Sequence, residues 1–179
     1  MDDVRSLRDC RKEIKRKYLP EFVYGGIDGA VTTFAVVMGS FGASLSSTII
    51  IILGFANLFA DGFSMAASNY LSTKSEKLLD KKNNKEPLKT ASATFFSFLV
   101  VGFIPLLSFV LAVFFPSVES LKFFYSGFLT FIAFVVIGLL KGKITGHNKT
   151  LSVLETVLIG GLAAIIAFIV GYLINSIVS

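Results

Sequence analysis

Between Ile49 and Glu76 the chain reads IIIILGFANLFADGFSMAASNYLSTKSE, an apolar run into which polar side chains enter at helical spacing. Wound as an α-helix at about 100° per residue, Asn57, Asp61, Ser64, Met65, Ser68 and Ser72 fall within roughly a 100° arc. Ile, Leu, Phe and Ala keep the opposite side. A carboxylate at membrane depth is costly unless it faces protein, water or an ion, so Asp61 marks this stripe as functional. A thioether beside a carboxylate suits a borderline ion such as Fe²⁺ or Mn²⁺ better than Mg²⁺ or Ca²⁺, which favour all-oxygen shells. Methionine also fills gaps between packed helices, and both readings of Met65 stand.

A second intramembrane carboxylate lies in EFVYGGIDGAVTTFAVVMGSFG, where Asp28 is flanked by Gly26 and Gly29. Glu21, Tyr24, Gly25, Asp28, Thr32 and Gly39 share a face, and the glycines admit a close neighbour. Asp28 is therefore expected to point into a helix interface as an ion or proton ligand. The alternative is a cap on a broken helix. A tight turn at Gly42–Ser47 makes the first two helices antiparallel neighbours, placing Asp28 and the Asp61–Ser68 segment in the same half of the bilayer. Glu21, Ser68, Glu76 and Glu155 are secondary candidates. Glu76 joins Asp80 and Glu86 in a cation-collecting patch that six lysines offset, and Glu155 near a helix start also complements the helix dipole. His147, alone in a polar loop, reads as a surface residue.

These residues must be positioned by membrane helices. Of the 179 residues 54% are hydrophobic and 16% charged, and the mean hydropathy is +0.75. Five apolar stretches, Phe22–Phe41, Thr48–Tyr70, Ala91–Phe115, Phe123–Leu140 and Val153–Ile177, approach or exceed the ~20 residues of a spanning helix. The expected architecture is one all-α, five-helix membrane domain over 20–179, with a short linker at 74–89. Residues 1–19 form a basic amphipathic segment on the membrane surface, with Pro20 at the start of the first span. Gly102 and Pro105 predict a kink or a freed carbonyl in the third span.

Sixteen of the seventeen Lys and Arg residues flank one side of these spans, and only Lys122 falls on the other. This puts the N-terminus in the cytoplasm and the C-terminus outside. The net charge of +5 is accounted for by topology and anionic headgroups rather than by nucleic acid. Cys10 is the single cysteine and forms no internal disulfide. Neither a Ser/His pair nor HExxH nor clustered histidine is present, so no enzyme and no resident cofactor is expected. The first apolar stretch lacks a small-residue cleavage site and reads as a retained helix. With no organellar targeting segment, the simplest location is the plasma membrane of a prokaryote.

YGGIDGAVTTFAVVMGSFGA, followed by GFANLFADGFSMAASNYLSTKSE, resembles the vacuolar iron transporter family. GFIPLLSF and LSVLETVLIGGLAAIIAFIVGYLI are similar to its third and fifth helices, and the likeness covers nearly the whole chain from Leu19. The resemblance implies a five-helix homodimer with its pathway between subunits, exporting Fe²⁺ and often Mn²⁺ from the cytosol while protons move inward. It matches Asp28 and Met65 to the family's metal-binding aspartate and methionine. Two departures stand out. Asn57 occupies a commonly acidic position, with Asp61 one turn later, and the glutamate-rich insert between the second and third helices is missing. In this reading Asp28 and Asp61 of two subunits supply the carboxylates, with Met65 and Asn57 completing the shell. A non-transporting scaffold or metal sensor on the same fold is the alternative.

Overall fold

The computed structural model describes the backbone of residues 2–80 and 84–178, and side chains from Lys17 onward in those ranges except Pro116. The amphipathic face expected from Val4, Leu7 and Ile14, the Cys10 thiol, and Lys81, Lys82 and Asn83 of the linker lie outside what is described.

The described residues are all helix and connection: α1 (Asp2–Gly42), α2 (Ser47–Leu79), α3 (Pro87–Gly102), α4 (Ile104–Phe114), α5 (Pro116–Glu119), α6 (Lys122–Thr145) and α7 (Lys149–Val178). Four segments are long and apolar enough to cross a membrane: Lys17–Gly42, Ser47–Leu79, Lys122–Thr145 and Lys149–Val178. The α3–α4 pair makes a fifth crossing when counted as one span. This is a multi-pass membrane protein.

Two expectations about helix ends change. Pro20 stands inside α1, not at its start. Its missing N–H deprives one carbonyl in the preceding turn of a partner, which water can replace at the bundle's end. The third span is not one helix, because α3 and α4 meet at an angle of 47°. Pro105, in the first turn of α4, cannot donate into α3, so the ladder breaks at Phe103. Its own carbonyl accepts a 2.7 Å hydrogen bond from Ser126 Oγ on α6. The expected kink is there, sharp enough to divide the span. α2, by contrast, continues unbroken through Lys74, Ser75, Glu76 and Lys77 to Leu79.

The first two helices are joined by a tight turn but are not each other's main partners. α1 packs chiefly on α3 and α7, and α2 chiefly on α3. Gly29 shows why α3 sits so close to α1: a Cβ there would lie 2.5 Å from the Phe98 carbonyl oxygen. The bare glycine face thus receives α3, while Asp28 lies on another side of α1. Toward the lysine-rich end the core holds Val23, Ala30, Val101, Ala133, Phe134 and Ile137. Toward the other end it holds Val37, Ile50, Leu106 and Phe109.

Candidate metal site

On α2 the buried face runs through Ile50, Gly54, Leu58, Gly62 and Ala66, a four-residue repeat that seats against α3 and α4. Asn57, Asp61 and Met65 follow the same repeat one position away, so they lie along the edge of the packed face, and all three are half-buried. On α1, Asp28 is also half-buried, and its backbone carbonyl accepts from Thr32 Oγ1 at 2.8 Å. The two carboxylates are near enough for their like charges to act on each other. Among the described residues neither has a lysine, an arginine or a hydrogen-bond donor on it. Two acids whose charges act on each other, with no counter-charge among the described residues, form a place that a cation or protons would relieve.

Asn57 lies one turn before Asp61 on the same stripe. Its side-chain nitrogen is buried without a partner. Turned over, the same amide presents its oxygen, a metal ligand, to that space. Among the described residues no three His, Cys, Asp or Glu gather where they could hold a metal ion. Within one chain the arrangement offers two carboxylates, with Met65 and Asn57 one turn to either side of Asp61.

The secondary candidates lie apart from the two carboxylates' stripe or hold partners of their own, Ser68 excepted. Ser68 lies on the exposed continuation of the stripe. Glu155 is exposed and pairs with Lys141 at 2.9 Å. Glu76 accepts from Ser72 at 3.3 Å, on the part of α2 beyond the apolar span. Glu21 is buried and bonded to Lys85 at 2.5 Å, 64 residues away. That pair belongs to a clasp that sequence reading missed. Lys17 donates to the Asn84 carbonyl, and Tyr18 Oη accepts from the Glu86 backbone N–H at 3.1 Å. Together they pin the α2–α3 connection onto the start of α1. Next to it, the Lys89 ammonium, hydrogen-bonded at 2.8 Å, holds the Glu86 carboxyl below its usual range. That contribution is present at neutral pH and is lost as acidification passes the lowered value.

Lys85→Ala should test the clasp. It leaves the Glu21 carboxylate buried beside an Oε2 that already lacks a partner. Loss of one member of a fully buried pair costs roughly 3–5 kcal/mol; with Lys85 one-third exposed we expect about 1–3 kcal/mol. Glu21→Gln on the Lys85→Ala background should recover much of that loss. Heat-induced aggregation midpoints in detergent would report both, and equal midpoints for all three proteins would dismiss the clasp as a stabilising element.

A polar seam between α2 and α3 was also missed. Asn69 Nδ2 donates to Thr94 Oγ1 at 2.5 Å, and the Thr73 and Thr90 hydroxyls lie 3.0 Å apart. The signal was available as Thr90, Thr94 and Ser97 at helical spacing. Hydroxyls in α3 satisfy themselves on their own preceding carbonyls, as Thr94 does on Thr90 at 3.0 Å, and so can be buried cheaply.

Comparison with known proteins places the chain in a family. The family model described as the VIT family matches residues 19–86 and 76–172. A vacuolar iron transporter of Toxoplasma gondii is 25% identical over 249 aligned positions, covering 99% of this chain and 82% of the relative. That of Plasmodium falciparum is 25% identical, covering 90% and 84%, and vacuolar iron transporter 1 of Arabidopsis thaliana is 24% identical, covering 83% and 82%. The 249 positions exceed the 179 residues of this chain, so the Toxoplasma relative carries residues within the match that are missing here. The family match itself divides at 76–86, where α2 passes into α3. The two matched pieces take in both carboxylates, the methionine stripe and the bent third span, and the chain belongs to the VIT family.

Proposed function

We propose that the protein is a transporter of divalent transition metal, carrying Fe²⁺ and also Mn²⁺ away from the cytosol in exchange for protons. The observation that carries this reading is the Asp28–Asp61 pair, two neighbouring carboxylates with no counter-cation among the described residues. A divalent ion offsets the burial of both charges at once. When it leaves, protonation relieves the repulsion between the empty carboxylates, which couples metal movement to proton movement. Met65 and Asn57, one turn to either side of Asp61, complete the shell and disfavour the hardest ions.

The protein works as a homodimer in this reading. Asp61 borders an uncovered strip of α2 that includes Leu53, Ala60, Ser64 and Leu71, and a second copy there would bring its own pair of carboxylates. The basic residues near the start of α1 and in the α2–α3 and α6–α7 connections favour a cytosolic N-terminus. Relatives are named for the vacuole. Loading a vacuole and exporting across a prokaryotic plasma membrane move metal in the same sense relative to the cytosol, so the site chemistry serves either.

The test is flux into proteoliposomes holding a metal-sensitive dye and, separately, a pH dye. Fe²⁺ or Mn²⁺ entry accompanied by opposite proton movement is the expected result. Metal binding without flux would overturn transport and leave a scaffold or metal sensor. Flux that is indifferent to an imposed pH gradient would remove the exchange mechanism.

A further inference from the structure

The lysine-rich end of the bundle carries a feature that metal transport does not use. Between α1 and α6 a groove of about 220 Å³ is lined by Val23, Ile27 and Ile144. Across α6 a second recess of about 300 Å³ is walled by Val136, Leu139 and Leu140 and reaches Lys143 and Lys149. Leu140, Lys143 and Ile144 also line the recess that adjoins both. The hydrocarbon-lined trough thus wraps the end of α6 and meets exposed lysines.

The charges around it are unequal. Lys141 is matched by Glu155. Lys143 and Lys149 have no carboxylate partner among the described residues. An apolar trough opening beside two uncompensated ammonium groups, where spanning helices give way to loop, is complementary to an amphiphile with an anionic head. Free phosphate would gain nothing from Val136, Leu139 and Leu140. A zwitterionic lipid would bring its own cation toward the lysines, and a second copy of this chain would set lysines against lysines. We infer that this trough is a binding site for an anionic glycerophospholipid, with the phosphate between Lys143 and Lys149 and an acyl chain along α6.

Native mass spectrometry of the full chain, released from micelles doped with phosphatidylglycerol or phosphatidylcholine, reads the site directly. The wild type should retain phosphatidylglycerol in preference to phosphatidylcholine. Lys143→Gln with Lys149→Gln should cut that preference roughly tenfold to thirtyfold, from about one kcal/mol per lysine. Lys74→Gln with Lys77→Gln removes the same charge elsewhere and should leave it intact. Leu139→Trp, which fills the trough without touching charge, should also lower retention. Equal retention of the two lipids by the wild type, or an equal loss in both double variants, overturns the proposal. So does displacement of the lipid by millimolar glycerol phosphate, which would make the site one for a free anion. Disulfide cross-linking between copies through Lys143→Cys would assign the trough to a protein interface and likewise overturn it.

Discussion

Asp28→Asn should abolish metal flux and, at the same time, raise the thermal stability of the metal-free protein. The two effects have one cause. Asp28 and Asp61 repel each other without a lysine, arginine or donor to offset them among the described residues, so removing one charge relieves the resting structure. In the proposed transport cycle the same removal deletes a metal ligand. Loss of groups that only orient a ligand costs 10–100-fold in metal affinity, so loss of the ligand itself should cost on the order of 100-fold or more. Transport assays in proteoliposomes and unfolding of the metal-free protein in detergent would be run side by side. A structural cap would behave in the opposite way, with stability falling and flux following it. Asp61→Asn should reproduce the pattern. Retained flux in Asp28→Asn would end the carboxylate-pair mechanism.

The largest expected effect on stability lies at the other end of the bundle. A Cβ on Gly171 of α7 would stand 2.0 Å from the Gly39 carbonyl oxygen and 3.2 Å from the Ala43 nitrogen. These are backbone atoms of α1 and its following turn, so no flexible side chain can yield. Gly42 is in the same position from the other side, 2.2 Å from the Phe168 carbonyl oxygen. The two helices therefore touch backbone to backbone. Gly171→Ala must push them apart, which should cost about 3 kcal/mol, the upper part of the range for overpacking. Gly171→Leu should leave no folded protein to purify. Gly161 is the control on the same helix, since a Cβ there meets nothing within 4 Å. Gly161→Ala should be neutral or stabilise by up to ~1 kcal/mol through helix propensity. Monodisperse yield in size-exclusion chromatography would separate the three variants, and similar behaviour of the two alanine variants would refute the close contact.

Those glycines show the limit of reading a pattern. Gly160 and Ala164, and likewise Ala167 and Gly171, announce close packing on α7 by their spacing. Spacing names a face but not the helix that covers it. Gly160 turns out to meet the Phe134 ring of α6, whereas Gly171 meets α1. The glycines around Asp28 pose the same ambiguity. They suggested that the carboxylate points into the interface, yet α3 takes the glycine face and Asp28 remains half-buried beside it.

Features that depend on neighbours along one helix were legible in the chain. Apolar length fixed the membrane spans, a 3.6-residue period gathered Asn57, Asp61 and Met65 on one stripe, and Pro105 marked the break in the third crossing. Which elements meet became visible only in the packed bundle. There α2 seats on α3 rather than chiefly on α1, Glu21 pairs with Lys85 across 64 residues, and Glu155 pairs with Lys141. Ion pairs between distant segments leave no period in the chain, because their geometry exists only after the helices have packed. The Asp28–Asp61 pair needed both kinds of information. Each carboxylate was conspicuous in the sequence as a charge within an apolar run, but only packing brings the two within reach of each other.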